Sequence, residues 1–193
     1  MTDSTINQLT YAGISCTGTE FFAEKGEMKI IQNGKVLPFC EISFNTIKLL
    51  QETIQNDKAA YIELLNWHPN SKMKRLEQFA KCRFGGLDFK PDIKDGKLQD
   101  GEYWDCPQRG SCKSEGILCK LPTYNGQRLE PIEVKLLQLT ATNMTNDVIA
   151  DEMDVALGTF HKLKKILYEK LGIQTKQEGV MVSFRLNLIR FNG

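Results

Sequence analysis

Four cysteines, Cys82, Cys106, Cys112 and Cys119, stand in a stretch that offers little else to fold around, because Gly85, Gly86, Gly96, Gly101, Gly110 and Gly116 and the prolines Pro91 and Pro107 punctuate it. Such a segment needs a staple. Four thiolates in a closed tetrahedron are the ligand set of structural Zn2+, and closing such a site contributes on the order of 10 kcal/mol to folding. The intervening lengths are twenty-three, five and six residues, not the tight CxxC pairs of common zinc modules. An iron–sulfur cluster, which would make the chain a redox-responsive regulator, uses the same thiolates and tolerates the proline beside Cys106. Zn2+ is the preferred reading, since Cys82 can leave the end of a helix and close the loop against the other three, and nothing in the sequence calls for electron chemistry. Cys16 and Cys40, remote in sequence, read as ordinary buried thiols, and His68 as a helix-end residue.

A second chemistry lies in Ala156–Gly172, ALGTFHKLKKILYEKLG. At about 100° per residue, Phe160, Leu163, Leu167 and Leu171 form one apolar stripe while Lys162, Lys165 and Glu169 point away, with His161 on the flank. A lysine-bearing helix face is by itself more often a solvated surface. The segment upstream changes that balance. Thr145–Met153 predicts a short helix capped by Thr145, with Val148, Ile149 and Met153 as its apolar face, and only Asp154 and Val155 separate it from the next. Two helices so joined predict a helix-turn-helix, whose second member enters the DNA major groove.

From Leu129 to Gly172 the chain resembles, without a gap, the LuxR/GerE family of four-helix DNA-binding domains. Leu129, Pro131 and Glu133 stand where that family opens with Leu-Thr-Pro-Arg-Glu, Ile149-Ala150 at its Ile-Ala pair, and Val155, Thr159 and Lys170-Leu171-Gly172 follow in register. The resemblance covers the last third of the chain, to a closing helix near Leu188. Departures are a residue other than Thr at 130, Arg at 132 and Gly at 143, Phe160 in place of a small branched residue, and Leu163 in place of a common histidine. The resemblance implies base-edge contacts from His161, Lys162 and Lys165, phosphate contacts from Thr159, Lys164 and Lys170, and a homodimer through the last helix, Thr175 to about Ile189, by Val180, Met181, Phe184 and Leu188. Gly158, in the first turn of the reading helix, costs roughly 0.5–1 kcal/mol relative to alanine, and close approach to a phosphate is a candidate reason.

Composition sets the outer limits. With 193 residues, 41% of them apolar and 25% charged, the chain can bury a real core, and its net charge of +1 excludes binding to nucleic acid by bulk charge. Affinity for DNA must come from local charge, here Lys162, Lys164, Lys165 and Lys170 against Glu169. No apolar run approaches the length of a membrane span and the start lacks a signal-peptide pattern, so a cytoplasmic protein with reduced cysteines, rather than a disulfide framework, is expected.

The elements that must position these groups begin with Asn33-Gly34, a type I′ hairpin signal between Met28 and Phe39. A helix is expected behind Ser43 with Phe44, Ile47, Leu50 and Ile54 on one side, a second from Asp57 to Trp67, and a third from Ser71 to Gly85-Gly86. The expected architecture is mostly α with a small β-hairpin: an N-terminal α+β region over residues 1–75, a cysteine-rich, metal-stapled module over 76–122, and a four-helix LuxR-type helix-turn-helix over 123–193. The expected function is a sequence-specific, double-stranded DNA-binding transcription regulator that is not an enzyme, because no nucleophile, base and orienter occur together. A scaffold whose helix-turn-helix binds RNA polymerase or another protein is the alternative from a different class.

Overall fold

The computed structural model describes residues 10–14 and 16–189. Four two-residue turns in it have both members at positive φ: Lys25-Gly26, Asn33-Gly34, Asp95-Gly96 and Asn125-Gly126. This is the backbone of the type I′ turn, whose twist matches that of paired strands. Each turn closes a hairpin. The first three join β1 (Thr19–Glu24) to β2 (Glu27–Gln32), β2 to β3 (Lys35–Pro38), and β4 (Ile93–Lys94) to β5 (Lys97–Leu98), and the fourth joins β6 (Thr123–Tyr124) to β7 (Gln127–Arg128).

The expected hairpin at Asn33-Gly34 is therefore present as β2 and β3, but it is one part of a five-stranded antiparallel sheet in the order β3-β2-β1-β4-β5. The expectation of a lone hairpin is corrected here, and the reason is local. Thr19, Glu20, Phe21 and Phe22 are all buried, so β1 shows none of the in–out alternation that betrays a strand. Its backbone is satisfied on both edges. β2 pairs one edge from Thr19↔Gln32 to Glu24↔Glu27. On the other, Thr19 pairs with Ile93, the Phe21 amide donates to the Asp92 carboxylate at 2.7 Å, and the Ala23 amide donates to the Gly85 carbonyl at 3.1 Å. A carboxylate and a helix-end carbonyl thus complete what a short β4 leaves unpaired.

Three helices share one core with this sheet, two of them packed directly on its strands. In α1 (Phe44–Asn56), Ser43 Oγ accepts from the Thr46 amide, and in α2 (Lys58–Trp67), Asp57 Oδ1 accepts from the Ala60 amide. Ser71 caps α3 (Lys72–Phe84) in the same way. These are the expected helices, with one change of face: Phe44 is 78% exposed, and Thr46 takes the inward position with Leu50 and Ile54. Phe21, Ile30, Leu50, Leu64, Phe79 and Phe84 form the centre of the core, and Leu118 from the cysteine-bearing loop packs with them.

Two compact units result. Residues through Gly101 form one together with Cys106–Cys119, and Glu102–Asp105 form the other with the chain from Lys120 onward. By contact, the cysteine loop therefore belongs with the amino-terminal sheet and helices. The second unit carries α4 (Pro131–Thr140), α5 (Asn146–Glu152), α6 (Leu157–Leu171) and α7 (Lys176–Arg185). Its own core gathers Tyr103, Leu129, Leu137, Ile149, Phe160, Leu167 and Val182. Seven α-helices are present among the described residues, and no helix among them is long and apolar enough to cross a membrane.

Candidate nucleic-acid interface and thiol cluster

The four helices of the second unit are held by their ends. Glu130 and Glu133 form a capping box at α4, with the Glu130 amide donating to Glu133 Oε2 at 2.7 Å. At the end of α5 the Val155 amide donates to the Ala150 carbonyl and the Asp154 amide to the Asp151 carbonyl, with Asp154 left-handed at φ 54°. Gly172, at φ 68°, closes α6 by the same pair of bonds, Ile173 to Tyr168 and Gly172 to Glu169. Both are Schellman turns, which stop a helix abruptly and set the direction of the chain that follows. Thr145 stands at the cap of α5 as expected, but its hydroxyl bonds Asp147 at 3.2 Å and not the helix backbone. Val148, expected inside, is exposed, and Ala150 is buried in its place beside Ile149.

In α6 the split between faces is sharp. Phe160 and Leu167 are 0% exposed and Leu171 is 2%, whereas Thr159, His161, Lys162 and Lys165 are exposed. Leu163 is half-buried at the edge of the seam. The other two lysines of the expected DNA-binding set are engaged within the unit. Lys164 lies over the rings of Phe160 and Tyr168, its Nζ 6.0 and 5.3 Å from their centroids. Burial and the nearby Lys176 both lower its pKa. Lys170 Nζ donates to Glu133 Oε2 at 2.6 Å, tying α6 to the capping box of α4. Lys165 stands 4.0 Å from Glu169, an exposed pair that holds it only weakly. Gly158 has no atom within 4 Å of where a Cβ would lie.

In the first unit, Cys82 sits on α3, one residue before Arg83, and the loop bearing the other three thiols is clamped to that helix. Arg83 Nε donates to the Leu118 carbonyl and its Nη2 to the Ile117 carbonyl, while the same guanidinium pairs with Asp57 at 2.8 Å. A second clamp runs from Trp67 Nε1 to Ser114 Oγ at 2.8 Å and on from Ser114 to Glu63 Oε1 at 2.5 Å. The Ser114 bond is the main reason the Glu63 carboxyl is held below its ordinary pKa. Neither clamp was legible in the sequence, where a buried serine and a paired arginine look like any other.

The Cys82 thiol is pushed up to about 11, first by burial, which outweighs a hydrogen bond from Gln78, and then by Cys119, Cys106 and Cys112, each near enough for its charge to be felt. Cys82 and the loop that bears the other three predicted thiols belong to one unit and are joined through Arg83. All six cysteines are free, and among the described residues no group of three or more His, Cys, Asp or Glu side chains is arranged to hold a metal ion. The donors are of the right kind for Zn2+ or an iron–sulfur cluster, but as placed they form no metal-holding group, so the expected metal-stapled module is corrected to a loop held by hydrogen bonds and by Leu118. Cys112 also lines a cleft of about 410 Å³ with Glu63, Trp67 and Lys113. Cys16 and Cys40, expected to be buried, are exposed, since neither reaches the core that the sheet and helices build.

Comparison of the chain with protein-family models, with curated proteins and with solved structures finds no match.

Proposed function

We propose that the second unit makes this chain a sequence-specific, double-stranded DNA-binding transcription regulator, with α6 as the helix that enters the major groove. The observation that carries this reading is the division of α6 into a sealed apolar seam and an exposed face bearing His161, Lys162 and Lys165. Seven of the residues matching the LuxR/GerE pattern support it, because they have structural work suited to a helix-turn-helix. Leu129, Ile149, Ala150 and Leu171 are core residues, Glu133 and Lys170 join two helices, and Gly172 ends the reading helix.

In this reading His161, Lys162 and Lys165 reach base edges, with lysine donating to guanine O6 or N7. Thr159 and Lys164 lie nearer the phosphates. Lys170 leaves the phosphate set, since its ammonium is committed to Glu133. A homodimer reading an inverted repeat, with half-sites about one helical turn apart, would use α7, whose Met181 is exposed and whose Val180 and Phe184 are half-buried.

The full-length chain on random duplex DNA is expected to be retained at low salt and released as salt rises, and selection from a randomised pool should return an inverted repeat. Lys165→Ala weakens the selected site by about 1–3 kcal/mol, whereas Lys164→Ala weakens all sequences alike and lowers the slope of log affinity against log salt by roughly 0.9. Absence of any selected sequence, or retention indifferent to salt, would overturn the reading and favour a protein-binding scaffold.

A metal role in the first unit has its own support. We propose that Cys82, Cys106, Cys112 and Cys119 bind Zn2+, with an iron–sulfur cluster as the alternative, on the ligand chemistry of four free thiols, one on α3 and three on the loop that Arg83 clamps to it. The bound ion would serve as a staple for a loop that sends only Leu118 deep into a core.

A further inference from the structure

We infer that Ile166 is a specificity-determining residue of α6 and that it reads the C5-methyl group of a thymine. The inference rests on α6 being the groove helix and goes beyond it by naming what part of the site is recognised.

Ile166 is 59% exposed in the middle of a fifteen-residue helix. A single exposed apolar residue is ordinary on a protein surface, so position has to decide its meaning. At 100° per residue Ile166 lies within about 40° of Lys162, and Lys165, Glu169 and Gly158 complete the same outward face. It is the large apolar group among polar neighbours there: Lys162 one turn before it, Glu169 one turn after. The buried seam of Phe160, Leu167 and Leu171 lies about 100–140° round the helix from Ile166, and at 59% exposure packing within the unit does not account for the residue.

The major groove presents one apolar feature, the thymine methyl, among its donors and acceptors. An isoleucine suits it. Branching at Cβ leaves the side chain few rotamers, so little freedom is lost when its methyls are presented to a partner. Lysines beside it can take guanine O6 and N7, and the Glu169 carboxylate can accept from a cytosine amino group. The face therefore fits a half-site in which thymine adjoins a G·C pair.

The test uses the full-length chain and the site it selects from a randomised duplex pool. Each thymine of that site is replaced in turn by deoxyuridine, which deletes the methyl group and keeps the base pair. At one thymine in each half-site the replacement should weaken binding about three- to fivefold, the effect of uncovering roughly one methyl group. Ile166→Ala, a substitution at an exposed position that the fold tolerates, should bind thymine and uracil duplexes equally with the salt slope unchanged. Ile166→Val should keep part of the preference. Indifference of the native chain to uracil at every position would overturn the inference while leaving the DNA-binding reading intact, as would an Ile166→Ala protein that still prefers thymine. If no sequence is selected at all, both fall together.

Discussion

Gly158 is the residue whose presence is hardest to justify within the free chain. It sits in the first turn of α6, where glycine costs roughly 0.5–1 kcal/mol against alanine, yet a Cβ there would meet nothing within 4 Å and no positive φ requires it. If DNA approaches the helix there, the two consequences of adding a methyl group have opposite signs. Gly158→Ala should raise thermal stability by about 0.5–1 kcal/mol and weaken DNA binding several-fold. Calorimetry and a titration with duplex DNA check both. Unchanged affinity would leave the glycine without a role at the groove. At this scale the sequence was legible wherever spacing alone decided burial, as for Phe160, Leu167 and Leu171. It misled where an alternative residue one or two positions away could take the inward place. Phe44 yielded to Thr46, which the Ser43 cap holds by both its amide and its hydroxyl, and Val148 yielded to Ala150, whose carbonyl takes part in the turn that ends α5.

The elements were most legible where a cap could be named. Ser43, Asp57 and Ser71 mark three helix starts, and all three accept the expected backbone amide. Strands were least legible: β1 hides because it is buried on both sides, and β4, β5, β6 and β7 are two residues each, too short for any period. One cap carries a pH prediction. Glu178, at the start of α7, accepts from the Gln174 and Thr175 amides and from the Thr175 hydroxyl, and these bonds to its charged form lower its pKa, the Gln174 amide most. A carboxylate whose folded-state pKa is depressed contributes stability that is present above the ordinary carboxylate range and is lost as pH falls through the depressed value. The start of α7 should therefore loosen in acid, seen as a loss of exchange protection, relative to the intrinsic rate at each pH, at the Gln174 and Thr175 amides as the Glu178 side chain titrates. Glu178→Gln should show the loosened exchange already at neutral pH and little further change in acid.

At the scale of the whole molecule, the boundary at the far side of the thiol loop could be anticipated from Asn125-Gly126 and its neighbouring prolines, but the assignment of the loop could not. Its membership in the first unit is decided by Leu118, Ser114 and Arg83, through packing and buried hydrogen bonds that have no signature in sequence spacing. Separate cores predict separable responses to metal. Protein purified without oxygen should contain about one Zn2+ per chain and be colourless, or show the absorption of an iron–sulfur cluster, and removing the metal should lower the unfolding temperature of the first unit while the second keeps its own. Metal-free protein from elemental analysis, with unfolding unaffected by a chelator, would refute the staple.

Tyr103 gives the path of the chain a consequence of its own. It is 6% exposed in the core of the second unit, and Glu102 beside it accepts from Asn187 at 3.2 Å, although residues on both sides of Glu102–Asp105 belong to the first. The second unit is thus no detachable suffix. A fragment cut at the obvious break after Cys119 would leave a hole the size of a tyrosine. On the ribosome, that tyrosine emerges early and must wait for its neighbours while the thiol loop is spun out behind it, so maturation of the cysteine region is bracketed in time by the two halves of a single hydrophobic interior.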